Sequence, residues 1–163
     1  MNMKRYFVLL GLAIITLSAC LKTDPQKPPV VVDPATQAAT DDAAIKTYLA
    51  AHTDITATKD TTTGLYYQIV NPGTGPANPS GGSNVTISFT GKLLNDNPFD
   101  SEVNYQISLS GAIPGLTIGV PLIKKGGRII LLIPSKLGYG NVANGPIPPN
   151  SVLIFTIDLI SIN

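Results

Sequence analysis

The sequence predicts an α+β fold: an antiparallel sheet of five to six strands wrapped around one short helix, with a second short helix on its N-terminal side. Short apolar runs recur at close intervals, each bounded by Gly, Pro, Asn or Ser. Gly and Pro number 15 and 14 in a chain of 163 residues of which only 13% are charged, a balance that favours strands and turns over long helices. Helical spacing is confined to two stretches, one around residues 41–52 and one starting at Pro114.

The first nineteen residues read as a secretory signal. Lys4 and Arg5 form a basic start, Phe7 to Leu17 an apolar run too short to span a bilayer, and Leu17-Ser18-Ala19-Cys20 has the form of a lipobox. Cys20 is the only cysteine of the chain, which marks it as the expected lipidation site and excludes an intramolecular disulfide. Without Lys4 and Arg5, nine of the 11 basic residues face 10 acids, so no basic field remains for nucleic acid. A cell-envelope location is expected, with the protein lipid-anchored outside the cytoplasmic membrane, at the outer membrane. Residues 20–40, with Pro25, Pro28, Pro29 and Pro34, are expected to be a flexible tether.

Thr40-Asp41-Asp42 gives a helix-start signal, and Ile45, Tyr48, Leu49 and His52 then share one face. Residues 41–63 are therefore read as an N-terminal helix and its connection. A helix this short cannot form a coiled coil, so a monomer is expected. His52 reads as a C-terminal helix residue; as the single His of the chain, it has no partner for a metal site.

Strand signals follow in order. Leu65 to Val70 ends at Asn71-Pro72-Gly73. Val85, Ile87 and Phe89 alternate with Thr86, Ser88 and Thr90, and the strand turns at Asn95-Asp96-Asn97-Pro98. Phe99-Asp100-Ser101 comes next, and Tyr105, Ile107 and Leu109 form a further alternating strand. Pro114 opens the second helix, with Leu116, Val120 and Ile123 on one face, Gly119 and Pro121 inside it, and Gly126-Gly127 to end it. Ile129 to Ile133 is a continuous apolar run, suited to a strand buried on both faces. In the last strand Leu153, Phe155, Ile157 and Leu159 oppose Thr156 and Asp158. The loop between these two strands holds Tyr139 and the stiff segment Gly145-Pro146-Ile147-Pro148-Pro149.

Four segments then combine: Val85-Thr86-Ile87-Ser88-Phe89-Thr90-Gly91, Phe99-Asp100-Ser101, Ile133-Pro134-Ser135-Lys136-Leu137-Gly138-Tyr139-Gly140, and Ile147-Pro148-Pro149-Asn150-Ser151-Val152-Leu153-Ile154-Phe155. With Ile113-Pro114-Gly115 between the second and third, residues 64–162 resemble the FKBP-type peptidyl-prolyl cis-trans isomerases over about the whole of that domain. The resemblance makes residues 64–163 an FKBP-like domain, a half-barrel sheet around a helix whose pocket receives a proline ring. Carried over by position, Phe89, Phe99, Tyr105, Ile113, Leu116, Ile147 and Phe155 would bind substrate. Asp100 and Tyr139 would be the catalytic polar groups, and the backbone N–H of Ile147 would hold a carbonyl beside the proline. The activity so implied is isomerisation of prolyl bonds in unfolded or exported proteins, with no metal, nucleotide or other cofactor.

Taken singly, these residues have plainer readings. Phe89, Phe99 and Phe155 would suit the core of any β domain, Asp100 a turn cap, and Tyr139 a structural hydrogen bond. The chain also departs from the family pattern. Leu116 stands where a tryptophan is usual, Ile107 where an aromatic is common, and Phe89 where a tyrosine is; no arginine follows Ser101; and Pro121 interrupts the short helix. These departures point to reduced turnover and weakened affinity for macrolide ligands. They keep open a second reading, a chaperone or assembly module that binds prolyl peptides with little turnover.

Overall fold

The computed structural model describes residues 33–163. The expected signal segment, Cys20 and the tether as far as residue 32 lie outside the described residues.

Helix α1 spans Pro34–Ala51, starting seven residues before the Asp41 at which the sequence predicts it. Residues 34–40, expected in the tether, are its first two turns. Asp33 caps it, accepting from the Ala35 and Thr36 N–H groups at 3.2 Å, and Pro34 occupies the first turn, where a missing N–H costs nothing. Read in isolation Pro34 looks like a breaker; placed after Asp33 it starts the helix. Asp41 and Asp42, expected in the first turn, are therefore mid-helix and free to make tertiary contacts. His52 caps the C-terminal end, its N–H donating to the Tyr48 carbonyl at 3.0 Å.

The strands are β1 Thr58–Lys59, β2 Tyr66–Asn71, β3 Asn84–Leu93, β4 Pro98–Ser108, β5 Arg128–Ile133 and β6 Leu153–Ile162, in one antiparallel sheet of order β1-β2-β5-β6-β3-β4. The second helix, α2, is shorter than its sequence pattern. It covers Pro114–Gly119 and tightens into a 3-10 turn over Val120–Leu122, because Pro121 lacks the N–H that an α-turn would use.

One face of the sheet packs on α2. Ile129, Leu131 and Ile133 of β5 join Leu153, Phe155, Ile157 and Leu159 of β6 with Leu116, Val120 and Ile123. Gly115 and Gly119 permit the close approach: a Cβ at Gly115 would lie 2.5 Å from Ile133 Cγ2, and one at Gly119 2.5 Å from Leu131 Cδ1. The other face packs on α1, where Ile45 and Tyr48 meet Tyr66, Leu132, Val152 and Ile154. Strand β5 is thus covered on both sides, as its continuous apolar run predicts. Strand β6 differs from the sequence pattern: Ile154, on the face with Thr156 and Asp158, is buried as well, because α1 lies over that end of the strand.

Phe99-Asp100-Ser101 and the strand expected around Tyr105 are one strand, β4, with two register shifts against β3. Asp100 pairs with Gly91 but Pro98 with Lys92, leaving Phe99 as the extra residue. Glu102 pairs with Phe89 but Tyr105 with Ile87, and Asn104 sits in the left-handed region (φ 54°) with its N–H donating to Ser88 Oγ at 3.1 Å. Leu109, expected to continue the strand, falls in a 3-10 turn, Leu109–Gly111.

Polar contacts pin α1 at three places. Asp42 accepts from Lys46 at 2.7 Å, from Tyr66 Oη at 2.6 Å and from Lys59. Tyr48 Oη donates to Asp96 at 2.9 Å in the β3–β4 turn, where Lys92 also reaches Asp96 at 2.7 Å. Asp41 accepts from the Ser135 N–H at 2.8 Å and from its hydroxyl at 2.7 Å. The donors on Asp42, Lys46 first, then Lys59 and Tyr66, hold its carboxyl well below the usual carboxylate range; burial, then the hydrogen bond to Asp42 and its charge, push the Tyr66 phenol up to about 12. With its native pKa depressed, Asp42 contributes stability that is present above its unfolded value of 3.8 and lost as pH falls below it. Asp42→Asn is expected to lower stability at pH 7 and to flatten the acid limb below about pH 4. Urea unfolding at pH 7 and pH 3 checks this, since an Asp42 outside the network would leave the two variants parallel.

Candidate active site

The open end of the concave face forms a cavity of about 460 Å³. It contains every residue the sequence singles out for substrate and catalysis: Phe89, Phe99, Asp100, Tyr105, Ile113, Leu116, Tyr139, Ile147 and Phe155. They come from β3, β4, the start of α2, the loop after β5 and β6, so no single element supplies the site.

Strand geometry explains how β4 contributes so many. Successive side chains of a strand alternate between faces, so Asp100 and Glu102 share one face. The bulge at Val103-Asn104 then changes the parity, and Tyr105 and Ile107 point into the same cavity. The earlier slip places Phe99 over Gly91, where a Cβ would stand 2.5 Å from the ring. Gly91 is therefore the space that Phe99 occupies. The four rings form a connected wall: Phe99 to Phe155 edge-on at 5.4 Å, Phe89 to Phe155 at 5.7 Å, and Phe89 to Tyr105 edge-on at 6.0 Å.

Leu116, 7% exposed, forms part of the floor at the site of the usual tryptophan, so the floor presents methyl groups and no N–H donor. Polar groups are few. Among the described residues the Tyr139 hydroxyl has no protein partner, and it is not buried, so it is free to donate to a ligand. Asp100 is exposed at the mouth and, among the described residues, has no basic partner there. Glu102 is a second carboxylate that the sequence reading missed; its place two residues after Asp100 on the same strand, and so on the same face, is the signal that points to it. Ile87, Gly111, Ala112, Asn144 and Pro146 complete the lining, without a local signal.

One expected role changes. The Ile147 N–H donates to the Asn144 carbonyl at 2.9 Å, and the Asn144 N–H returns a bond to the Ile147 carbonyl at 3.0 Å, closing a tight hairpin over Gly145-Pro146. That N–H is engaged, although the Ile147 side chain lines the cavity. Ile113 holds the available donor. It precedes Pro114 at the N-cap of α2, its carbonyl accepts from Leu116 and Thr117, and its own N–H has no acceptor among the described residues.

The model of the FKBP-type peptidyl-prolyl cis-trans isomerase family matches residues 75–160. FkpA of Escherichia coli K12, described as an FKBP-type isomerase, is 40% identical over 108 residues, covering 64% of this chain and 40% of its own length. A probable FKBP-type isomerase of Haemophilus influenzae is 41% identical over 110 residues, covering 64% of this chain and 45% of its own. The chain thus spans less than half the length of these relatives. The crystal structure of E. coli FkpA superposes with a TM-score of 0.67 and 36% identity, over 79% of this chain and 62% of that one. A peptidyl-prolyl isomerase structure from Pseudomonas syringae pv. tomato gives 0.65 and 28%, over 77% and 95%. With more than half of its sequence matched and the fold shared, this chain belongs to the FKBP-type peptidyl-prolyl cis-trans isomerase family.

Proposed function

We propose that the protein catalyses cis–trans isomerisation of prolyl peptide bonds by seating the proline ring against Phe89, Phe99, Tyr105, Leu116 and Phe155. The observation that carries this reading is that one cavity is lined by a four-ring apolar wall together with Tyr139 and Ile113, whose hydroxyl and N–H respectively have no protein partner among the described residues. Rotation about an amide is opposed by a barrier of about 18–20 kcal/mol, because resonance gives the C–N bond double-bond character and charges its oxygen. Twisting the bond returns the lone pair to nitrogen and reduces charge separation. A dry wall therefore favours the twisted form over the planar one, and donors placed for the twisted geometry add to that preference. Each tenfold in rate requires about 1.4 kcal/mol, so a few such contacts suffice without a nucleophile.

Tyr139 and Ile113 take the two substrate carbonyls, and Asp100 sets the polarity at the mouth. Leu116 and Ile107 in place of aromatic side chains reduce contact with the ring, which supports lower turnover and weaker macrolide affinity than an aromatic floor would give. Asp100 without a basic neighbour acts in the same direction. The clients proposed are unfolded or newly exported proteins. The protein is proposed to act as a monomer and to meet them outside the cytoplasmic membrane, at the outer membrane, held by lipid on Cys20; the support for the anchor is the Leu17-Ser18-Ala19-Cys20 segment.

Full-length protein in detergent is expected to accelerate isomerisation of a proline tetrapeptide. Tyr139→Phe should cost roughly tenfold, the worth of one hydrogen bond in a dry site, and Asp100→Ala a smaller factor. A folded protein that binds the peptide but gives no acceleration would instead be a binding module. On titration with the same peptide the Ile113 amide resonance should shift while Ile147 keeps its exchange protection; a shift at Ile147 alone would assign the donor to Ile147. Labelled fatty acid should be incorporated into the wild type and be absent from Cys20→Ser, whereas equal labelling would remove the anchor.

A further inference from the structure

The family match begins at residue 75, so α1 lies outside it, yet α1 sends one carboxylate to the loop that carries Tyr139. Asp41 is 2% exposed and has no basic partner among the described residues. Its Oδ2 accepts from both the N–H and the hydroxyl of Ser135, at 2.8 and 2.7 Å, and its Oδ1 accepts from Gln37 Nε2 at 2.7 Å. A buried carboxylate is tolerated only when its oxygens are satisfied in this way.

The position of Ser135 gives these bonds a consequence at the cavity. Ser135–Leu137 is a 3-10 turn whose N-cap residue is Pro134, which has no side-chain acceptor for the first N–H. Asp41 supplies that acceptor from another element. The Ser135 carbonyl in turn accepts from Gly138 at 3.0 Å and Gly140 at 2.8 Å, the residues on either side of Tyr139. The Gly140 carbonyl takes the Asn150 N–H at 2.7 Å. The backbone of Tyr139 therefore hangs from Ser135, and Ser135 from Asp41. The other polar contacts of α1 go elsewhere: Asp42 to Lys46, Lys59 and Tyr66, and Tyr48 to the β3–β4 turn.

We propose that Asp41 is a positioning residue for the site: by capping the Ser135 turn from α1 it sets where the Tyr139 hydroxyl stands in the cavity. The role in turnover rests on the isomerase reading above; the role in placing Tyr139 does not. Misplacement of a catalytic group by about 1 Å is enough to cost up to a hundredfold in rate.

The test uses the full-length chain, with Asp42→Ala as a variant that removes the bonds of α1 to Lys59 and Tyr66 and leaves both Asp41–Ser135 bonds in place. Asp41→Ala should slow isomerisation roughly tenfold while peptide affinity changes less, and Asp42→Ala should leave the rate unchanged. Asp41→Asn keeps one oxygen for Ser135 and should restore most of the rate. In a Tyr139→Phe background Asp41→Ala should have no further effect. The Tyr139 ring resonances should move in Asp41→Ala and stay in Asp42→Ala, a readout that holds even if the wild type shows no turnover. Should Asp41→Ala fail to fold, Ser135→Ala, which removes only the hydroxyl bond, replaces it with a smaller shift expected. Unmoved Tyr139 resonances, equal losses in the Asp41 and Asp42 variants, or multiplied losses in the double variant would each overturn the proposal.

Discussion

Burial of β5 on both faces is the constraint from which the remaining structure follows. Its alternate side chains serve two clusters: Ile129, Leu131 and Ile133 meet α2, while Leu132 meets α1. Each such side chain contributes about 1.5–3 kcal/mol when fully buried, and exposing either face would give up part of that stabilisation. The strand therefore requires a cover on each side. On the α2 side the cover has to be thin, and Gly115 and Gly119 let the helix backbone approach until Ile133 and Leu131 touch it. That close approach fixes the height of Leu116, and with it the floor of the cavity.

The walls of the cavity depend on irregularity. A regular β4 would turn half of its side chains away from the concave face. The extra residue at Phe99 and the bulge at Val103-Asn104 bring Phe99, Asp100, Glu102, Tyr105 and Ile107 to the same space. These slips are tolerated because β4 is the edge of the sheet, with no further strand whose register they would disturb.

Helix α1 covers the other face and does more than bury apolar area. Its polar residues reach the β1–β2 pair, the β3–β4 turn and the loop after β5, so the framework of the cavity is tied to a segment distant in sequence from most of its lining. In an 18-residue helix, a face built from Asp41, Ile45 and Tyr48 combines packing with specific attachment.

Periodicity and turn chemistry, read along the chain, were enough to determine the sheet, the short helix around Leu116, the two-sided burial of Ile129–Ile133 and the turn at Asn95–Pro98, because each depends on neighbours a few residues apart. The family resemblance named nine cavity residues, and tertiary structure brings all nine to one cavity. What local patterns could not decide depends on distant partners. Pro34 starts a helix because Asp33 caps it and the sheet receives that helix; Ile154 is buried because α1 lies over it; Tyr105 and Ile107 share the cavity with Asp100 and Glu102 because a bulge changes the parity of β4. The Ile147 N–H is closed off locally, by the turn over Gly145-Pro146, whereas Ile113, its N–H without an acceptor among the described residues, reaches the cavity only when α2 packs on the sheet, a contact between segments far apart in the chain.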